Sequence, residues 1–195
     1  MSLILAIKHH SHIYLASDSQ VSSGRLITPE RSHSQTKLMR IGDLCIGGVG
    51  SYHSWNYLIH HKSLFNVTKD FVLTKRWLVE EFVHNLYDFF NKHKLLEITE
   101  NKISYFQNYL MIAHGSKLFT INGAGTVIEH EHFAVLGAPH DLALPLLKTY
   151  NHQENPKGFL HKVLSYCCEY DDSISPPFIY LDTKSLKHEI WSDES

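Results

Sequence analysis

Ser2 carries chemistry that depends on its position. If Met1 is removed, which a small second residue generally permits, Ser2 presents a hydroxyl and a free α-amine on one residue. That is a nucleophile with its own base, the amine having a reference pKa near ~8. Further along, Ala16-Ser17-Asp18-Ser19-Gln20 closes an apolar run, Thr36-Lys37 opens another, and Gly47-Gly48-Val49-Gly50-Ser51 ends a third just before a helical pattern. Taken singly these are ordinary: an aspartate after a strand serves a turn, a lysine at a strand start is solvated, and glycines permit tight turns. Common site signatures do not occur. The chain has no Gly-x-x-x-x-Gly-Lys phosphate loop and no His-Glu-x-x-His, and Gly48-Val49-Gly50-Ser51-Tyr52 does not form a Gly-x-Ser-x-Gly elbow. Sixteen histidines include His9-His10-Ser11-His12, His60-His61 and His130-Glu131-His132. None of these clusters comes with Cys or carboxylate partners at metal-binding spacing, so no metal and no cofactor are expected. They read as solvated imidazoles that titrate together in mild acid, near their reference pKa of ~6.5.

The elements that must position these residues follow from apolar periodicity. Residues 3–8 and 12–17 are β-branched and aromatic-rich runs around a polar turn, which predicts a hairpin. Residues 36–41 and 44–49 repeat the pattern around Gly42-Asp43, a second hairpin. Helical spacing follows over 51–65 and 74–93, with Leu78, Phe82, Leu86 and Phe89 on one face. Short strands are predicted near 109–113, 118–121, 126–128 and 133–136, helices over 141–150 and 156–170, and strands over 178–181 and 186–191. Asn155 and Pro156 fit the N-cap and first position of the last helix. Grouped strands alternating with helix pairs imply an α+β fold with antiparallel sheets. A four-layer α-β-β-α sandwich satisfies that order.

Composition bounds the function. With 195 residues of which 43% are hydrophobic, the expectation is one domain over 1–195. A formal charge of -2 without a basic block argues against nucleic acid. The apolar run Leu3–Ile7 follows no positive segment and is too short for a signal peptide or a membrane span, so no membrane partner and a cytoplasmic protein are expected. Three cysteines, Cys45, Cys167 and Cys168, imply no disulfide framework.

In this order along the chain, the motifs resemble the proteasome β-type peptidases, in particular the self-assembling bacterial members, which are N-terminal nucleophile hydrolases of α-β-β-α fold. Leu5-Ala6-Ile7-Lys8 with Ala16-Ser17-Asp18-Ser19-Gln20 is similar to the family's opening hairpin. Lys37-Leu38-Met39-Arg40 is similar to its lysine strand, and Gly47–Ser51 to its glycine turn. Counting back from Asp18 without gaps puts Ser2 on the nucleophile position. The resemblance implies that Ser2 Oγ attacks a peptide carbonyl while its α-amine shuttles the proton. It implies that Lys37 favours deprotonation beside it, that Asp18 pairs with Lys37, and that the Gly50 N–H, in preference to that of Gly48, faces the oxyanion. Val49 and Met39 become candidates for the wall of the pocket that receives the side chain before the cut. Asp171 matches the family's acidic loop by its spacing after the last helix, with Asp172 and Ser175 as the other match. Partners implied are a homo-oligomeric ring, a peptide or unfolded protein substrate and, by analogy, an ATP-dependent unfoldase.

Three departures accompany the resemblance. Serine replaces the usual threonine and loses the β-branch that narrows χ1. Gly137-Ala138 stands where the family has Gly-Ser, a serine that hydrogen-bonds near the α-amine. The acidic loop matches in two registers. A catalytically inactive ring subunit of the same fold is therefore the second reading, and a small-molecule amidohydrolase of the superfamily a third.

Overall fold

In the computed structural model of this protein, residues 2–23, 26–28, 36–65, 67, 71–100, 103–152 and 154–191 are described. Leu3, Leu5 and Ile7 face one way from the first strand and Ile4 and Ala6 the other, and all five are buried. A strand buried on both faces has to lie inside a stack of layers. That strand, β1 (Leu3–His9), turns at His10-Ser11 into β2 (His12–Ser17), with His9 opposite His12. A small hairpin of β3 (Val21–Ser23) and β4 (Leu26–Thr28) follows. Next come β5 (Leu38–Ile41) and β6 (Leu44–Gly50), joined through Gly42, whose φ of +57° favours glycine.

Ser51 caps helix α1 (Tyr52–His60), its Oγ accepting from the Ser54 N–H at 3.3 Å. A 3-10 turn over Lys62–Phe65 ends this region, so the apolar pattern read as one helix over 51–65 divides at His61. Thr74 caps α2 (Lys75–Trp77), which runs through a π-helical stretch, Leu78–Phe82, into α3 (Val83–Lys92). A hairpin of β7 (Leu96–Ile98) and β8 (Ser104–Phe106) escapes the sequence pattern, because three-residue strands are too short to display a period of two. Then β9 (Asn108–His114), β10 (Lys117–Ile121), β11 (Val127–Glu129) and β12 (Phe133–Gly137) follow. Helices α4 (His140–Leu147) and α5 (Pro156–Tyr170) lead to β13 (Phe178–Asp182) and β14 (Glu189–Trp191). Asn155 caps α5 by accepting from the Lys157 N–H at 3.2 Å.

One antiparallel sheet has the order β12-β1-β2-β13-β14 and the other β11-β10-β9-β6-β5. Side-chain alternation gives the layers. Ile4, Ala6 and Leu15 from one sheet meet Leu38, Cys45, Met111 and Ala113 from the other. Leu44, Ile46, Leu110 and Ile112 face outward onto α1 to α3, while Leu3, Leu5, Phe178 and Tyr180 face α4 and α5. The protein is thus an α-β-β-α sandwich, an α+β fold, as the order of elements predicts.

Candidate active site

Asp18 follows directly on β2, and its fully buried carboxylate is saturated with donors. Oδ1 accepts the Leu3 N–H at 2.8 Å, and Oδ2 accepts the Gln20 N–H at 3.0 Å and Lys37 Nζ at 2.6 Å. Lys37 stands just ahead of β5 with its side chain 3% exposed. A buried lysine needs such a partner, and the sequence supplies one from the neighbouring sheet. Burial pushes the Asp18 carboxyl upward against the pull of Lys37 and of the N–H donors. The same burial pushes the Lys37 ammonium downward against the pull of Asp18. Lys37 therefore holds its proton less firmly than a lysine in water.

Ser2 lies one residue before this clamp. Its carbonyl accepts the Ala138 N–H at 2.9 Å, and the Asp18 N–H donates to Leu3 O at 3.3 Å. Gly137, at φ +93°, has no room for a side chain, since a Cβ there would come within 1.8 Å of Ser2 O. The main chain at Ser2 is thereby held from β2 on one side and from the end of β12 on the other. Met1 lies outside the described residues.

Ser2, Lys37, Gly48, Val49, Gly50 and Ala138 all line one cavity of about 570 Å³. The glycines in its wall are there for space. A Cβ on Gly48 would lie 2.3 Å from the Trp55 ring, and one on Gly50, at φ +112°, would lie 2.0 Å from Gln107 O. The Gly48 N–H is already engaged with Lys37 O at 3.0 Å. Strand alternation sends the Gly50 N–H to the same side, two residues beyond Gly48, and Leu38 with Gly47 is the last β5–β6 pair among the described residues.

Two of the expected site residues lie elsewhere. Met39 is buried between its sheet and the α1–α3 layer and does not line the cavity, because alternation along β5 turns it away from Leu38 and the space between the sheets. Asp171 closes α5 and its Oδ1 accepts the Ser173 N–H at 2.8 Å, which shapes the turn. The loop reaches the site segment through main-chain carbonyls instead: Asp172 O accepts Gln20 Nε2 at 3.0 Å, and Ser175 O accepts the Ser19 N–H at 3.2 Å. Val49 does line the cavity. Asn108, absent from the sequence reading, also borders it and is fully buried. Its signal was an asparagine, a residue depleted in strands, at the head of an apolar one. Among the described residues, no group of three or more His, Cys, Asp and Glu side chains is placed to hold a metal ion, and no helix is long and apolar enough to cross a membrane.

No protein-family model matches the chain, and no curated protein matches its sequence. Solved structures do. The BPH protein of Thiobacillus denitrificans, in complex with epoxomicin, superposes with a TM-score of 0.74 at 16% identity, over 95% of this chain and 99% of that one. The helical assembly of the Anbu complex from Pseudomonas aeruginosa gives a TM-score of 0.74 at 14% identity, over 99% and 88%. Eukaryotic HslV from Trypanosoma brucei gives 0.61 at 15% identity, over 92% and 98%. The chain shares the α-β-β-α fold of these proteins.

Proposed function

We propose that this protein is a peptidase subunit of proteasome type whose nucleophile is Ser2, exposed by removal of Met1, and that it works in a self-compartmentalising ring or stack of rings. The observation that carries this reading is the buried Asp18–Lys37 pair, whose aspartate also holds the Leu3 amide next to Ser2. An ion pair at the wall of a cavity shared with a serine is costly to bury, and chemistry at that serine is a reason to keep it.

In the proposed reaction, Ser2 Oγ forms a bond to the substrate carbonyl carbon as its proton passes to the α-amine. Lys37 favours this by lowering the pKa of hydroxyl and amine. The negative charge on the former carbonyl oxygen is met by the Gly50 N–H. Collapse breaks the C–N bond, and the amine's proton goes to the leaving nitrogen. Water then cleaves the ester by the same route, with the α-amine as base. Val49 supplies an apolar wall for the side chain before the cut. Substrates are peptides or unfolded protein, an ATP-dependent unfoldase is the partner class by analogy, and the cytoplasm is the expected site.

Ala138 favours the second reading, an inactive ring subunit, because a methyl group lines the cavity where the resemblance calls for a serine hydroxyl. Two measurements on untagged protein separate the two. An intact mass short by one methionine, with a single epoxomicin retained on Ser2 after denaturation and hydrolysis of a fluorogenic peptide, is the expected result. Retained Met1 with no hydrolysis would give the inactive ring the better claim. Turnover of a small amide without peptide hydrolysis would overturn both.

A further inference from the structure

Asn108 sits at the head of β9, in register with Gly50, and is fully buried. Its amide nitrogen donates to Val49 O at 3.3 Å and to Ser51 O at 3.0 Å, the carbonyls on either side of Gly50. Both partners are pure acceptors, so the NH2 end must face them and the orientation of the amide is fixed by chemistry. Oδ1 is then left buried, with no hydrogen-bond partner among the described residues. A side chain that leaves an acceptor unmet in order to hold two particular carbonyls is poorly explained by stability alone.

The consequence lies in the geometry of one peptide group. A trans peptide is planar, with its C=O and N–H pointing in opposite directions. Val49 C=O and Gly50 N–H belong to the same plane. The pairing of Val49 with Tyr109 turns this carbonyl to the β9 side and Asn108 adds a side-chain donor that locks it there, so the Gly50 N–H must face the β5 side. On that side the Gly48 N–H meets Lys37 O, and Leu38 with Gly47 is the last β5–β6 pair among the described residues. Gly50 has no Cβ to favour one setting of this plane, so hydrogen bonds have to choose it. Ser51 O also accepts the first helical N–H of α1, from Trp55 at 3.0 Å, so Asn108 ties the plane to the start of that helix.

We propose that Asn108 is a positioning residue that aims the Gly50 N–H into the cavity shared with Ser2 and Lys37. Its effect on rate rests on the reading of Gly50 as oxyanion donor, whereas the setting of the peptide does not. Asn108→Asp is the decisive variant, since it keeps the shape and turns an acceptor toward the two carbonyls. The expected result is a crystal structure in which the 49–50 peptide turns or tilts. With a fluorogenic peptide, kcat should fall by about 10- to 100-fold at nearly unchanged KM, because an oxyanion donor acts in the transition state and its outright removal costs roughly 100- to 1,000-fold. A peptide that keeps its setting, or one that turns with kcat unaltered in an active enzyme, would overturn the proposal. If wild-type protein hydrolyses nothing, the reading of function fails and the crystal structure alone decides this one. Should the aspartate variant not fold, Asn108→Ala is read by the same two outcomes.

Discussion

Asp18 grips Leu3 by both ends of its main chain, accepting its N–H at 2.8 Å through Oδ1 and donating its own N–H to the Leu3 carbonyl at 3.3 Å. The same carboxylate pairs with Lys37 through its other oxygen. One side chain thus couples the placement of the residue after Ser2 to the charge state of the lysine. Removing the charge should disturb both. Asp18→Asn leaves Lys37 buried without a counter-charge and turns an amide N–H toward other donors. The expected loss is about 3 kcal/mol in urea denaturation, the lower end for breaking a buried pair because the lysine can shed its proton. Peptidase activity should vanish with it. A loss below about 1 kcal/mol would mean that the pair is not the anchor described.

Glycine supplies a second test of how Ser2 is held. At Gly115, φ is +55° and nothing lies within 4 Å of an added Cβ, so Gly115→Ala carries only left-handed strain, about 1 kcal/mol. Gly137→Ala adds the same strain to a clash with Ser2 O, for about 3 kcal/mol in all, and must push Ser2 away from its place. Thermal unfolding and peptide hydrolysis measured on the pair should show a mild loss with activity kept for Gly115→Ala and a severe loss of both for Gly137→Ala. Equal behaviour would count against the Gly137–Ser2 contact.

The sequence shows part of this arrangement and hides the rest in faces and long-range pairing. The sandwich is legible, because strands grouped apart from helix pairs imply antiparallel sheets with helices packed outside them, and two such sheets form the stack. The Asp18–Lys37 pair is legible from an ordered set of weak signals, and Gly50 from the same set lines the cavity beside Lys37. Alternation along β5 puts Met39 on the helix side and off the cavity wall, which the order of residues around Lys37 does not show. Asp171 is placed by spacing after α5, where its carboxylate caps the turn at Ser173, while Asp172 of the alternative register meets the site segment through its main-chain carbonyl. Asn108 is harder to single out: beyond being an asparagine at the head of an apolar strand, its role depends on pairing with Gly50 across more than fifty residues of chain.

The histidines give stability an acid limb. Burial lowers the pKa of His9, helped by His10, His152, Lys184 and His12; burial alone lowers His130; and burial with Arg40 lowers His188. Each binds a proton less tightly folded than unfolded, where the value is ~6.5, so the unfolded chain gains protons first and stability falls as pH drops below about 6.5. Asp182 adds a later loss. Burial pushes its carboxyl up, but donors from Ser185 and Lys184 together with Lys157 bring it below its ordinary value, so its contribution is present above about pH 4 and disappears only below that. Denaturation midpoints measured from about pH 7.5 down to about pH 3 should show a decline beginning near 6.5 and a second one in stronger acid. A flat profile down to about pH 5 would contradict the histidine part.

The two departures at the reacting centre predict opposite results from repairing them and removing them. Ser2 Oγ rotates more freely than the hydroxyl of a β-branched residue, and Ala138 offers a methyl group to the cavity where a hydroxyl fits the resemblance. Ser2→Thr should therefore raise kcat a few-fold, and Ala138→Ser should raise it again by supplying a donor beside the α-amine, with both changes acting on kcat more than on KM. Ser2→Ala should abolish hydrolysis, by more than about 100-fold, while leaving the unfolding midpoint within about 0.5 kcal/mol of wild type, since Ser2 is held through its main-chain carbonyl. If Ser2→Ala hydrolyses peptide as fast as wild type, the nucleophile lies elsewhere. If all three variants are inert alongside an inert wild type, the ring subunit without catalysis becomes the better account of why the Asp18–Lys37 pair is kept.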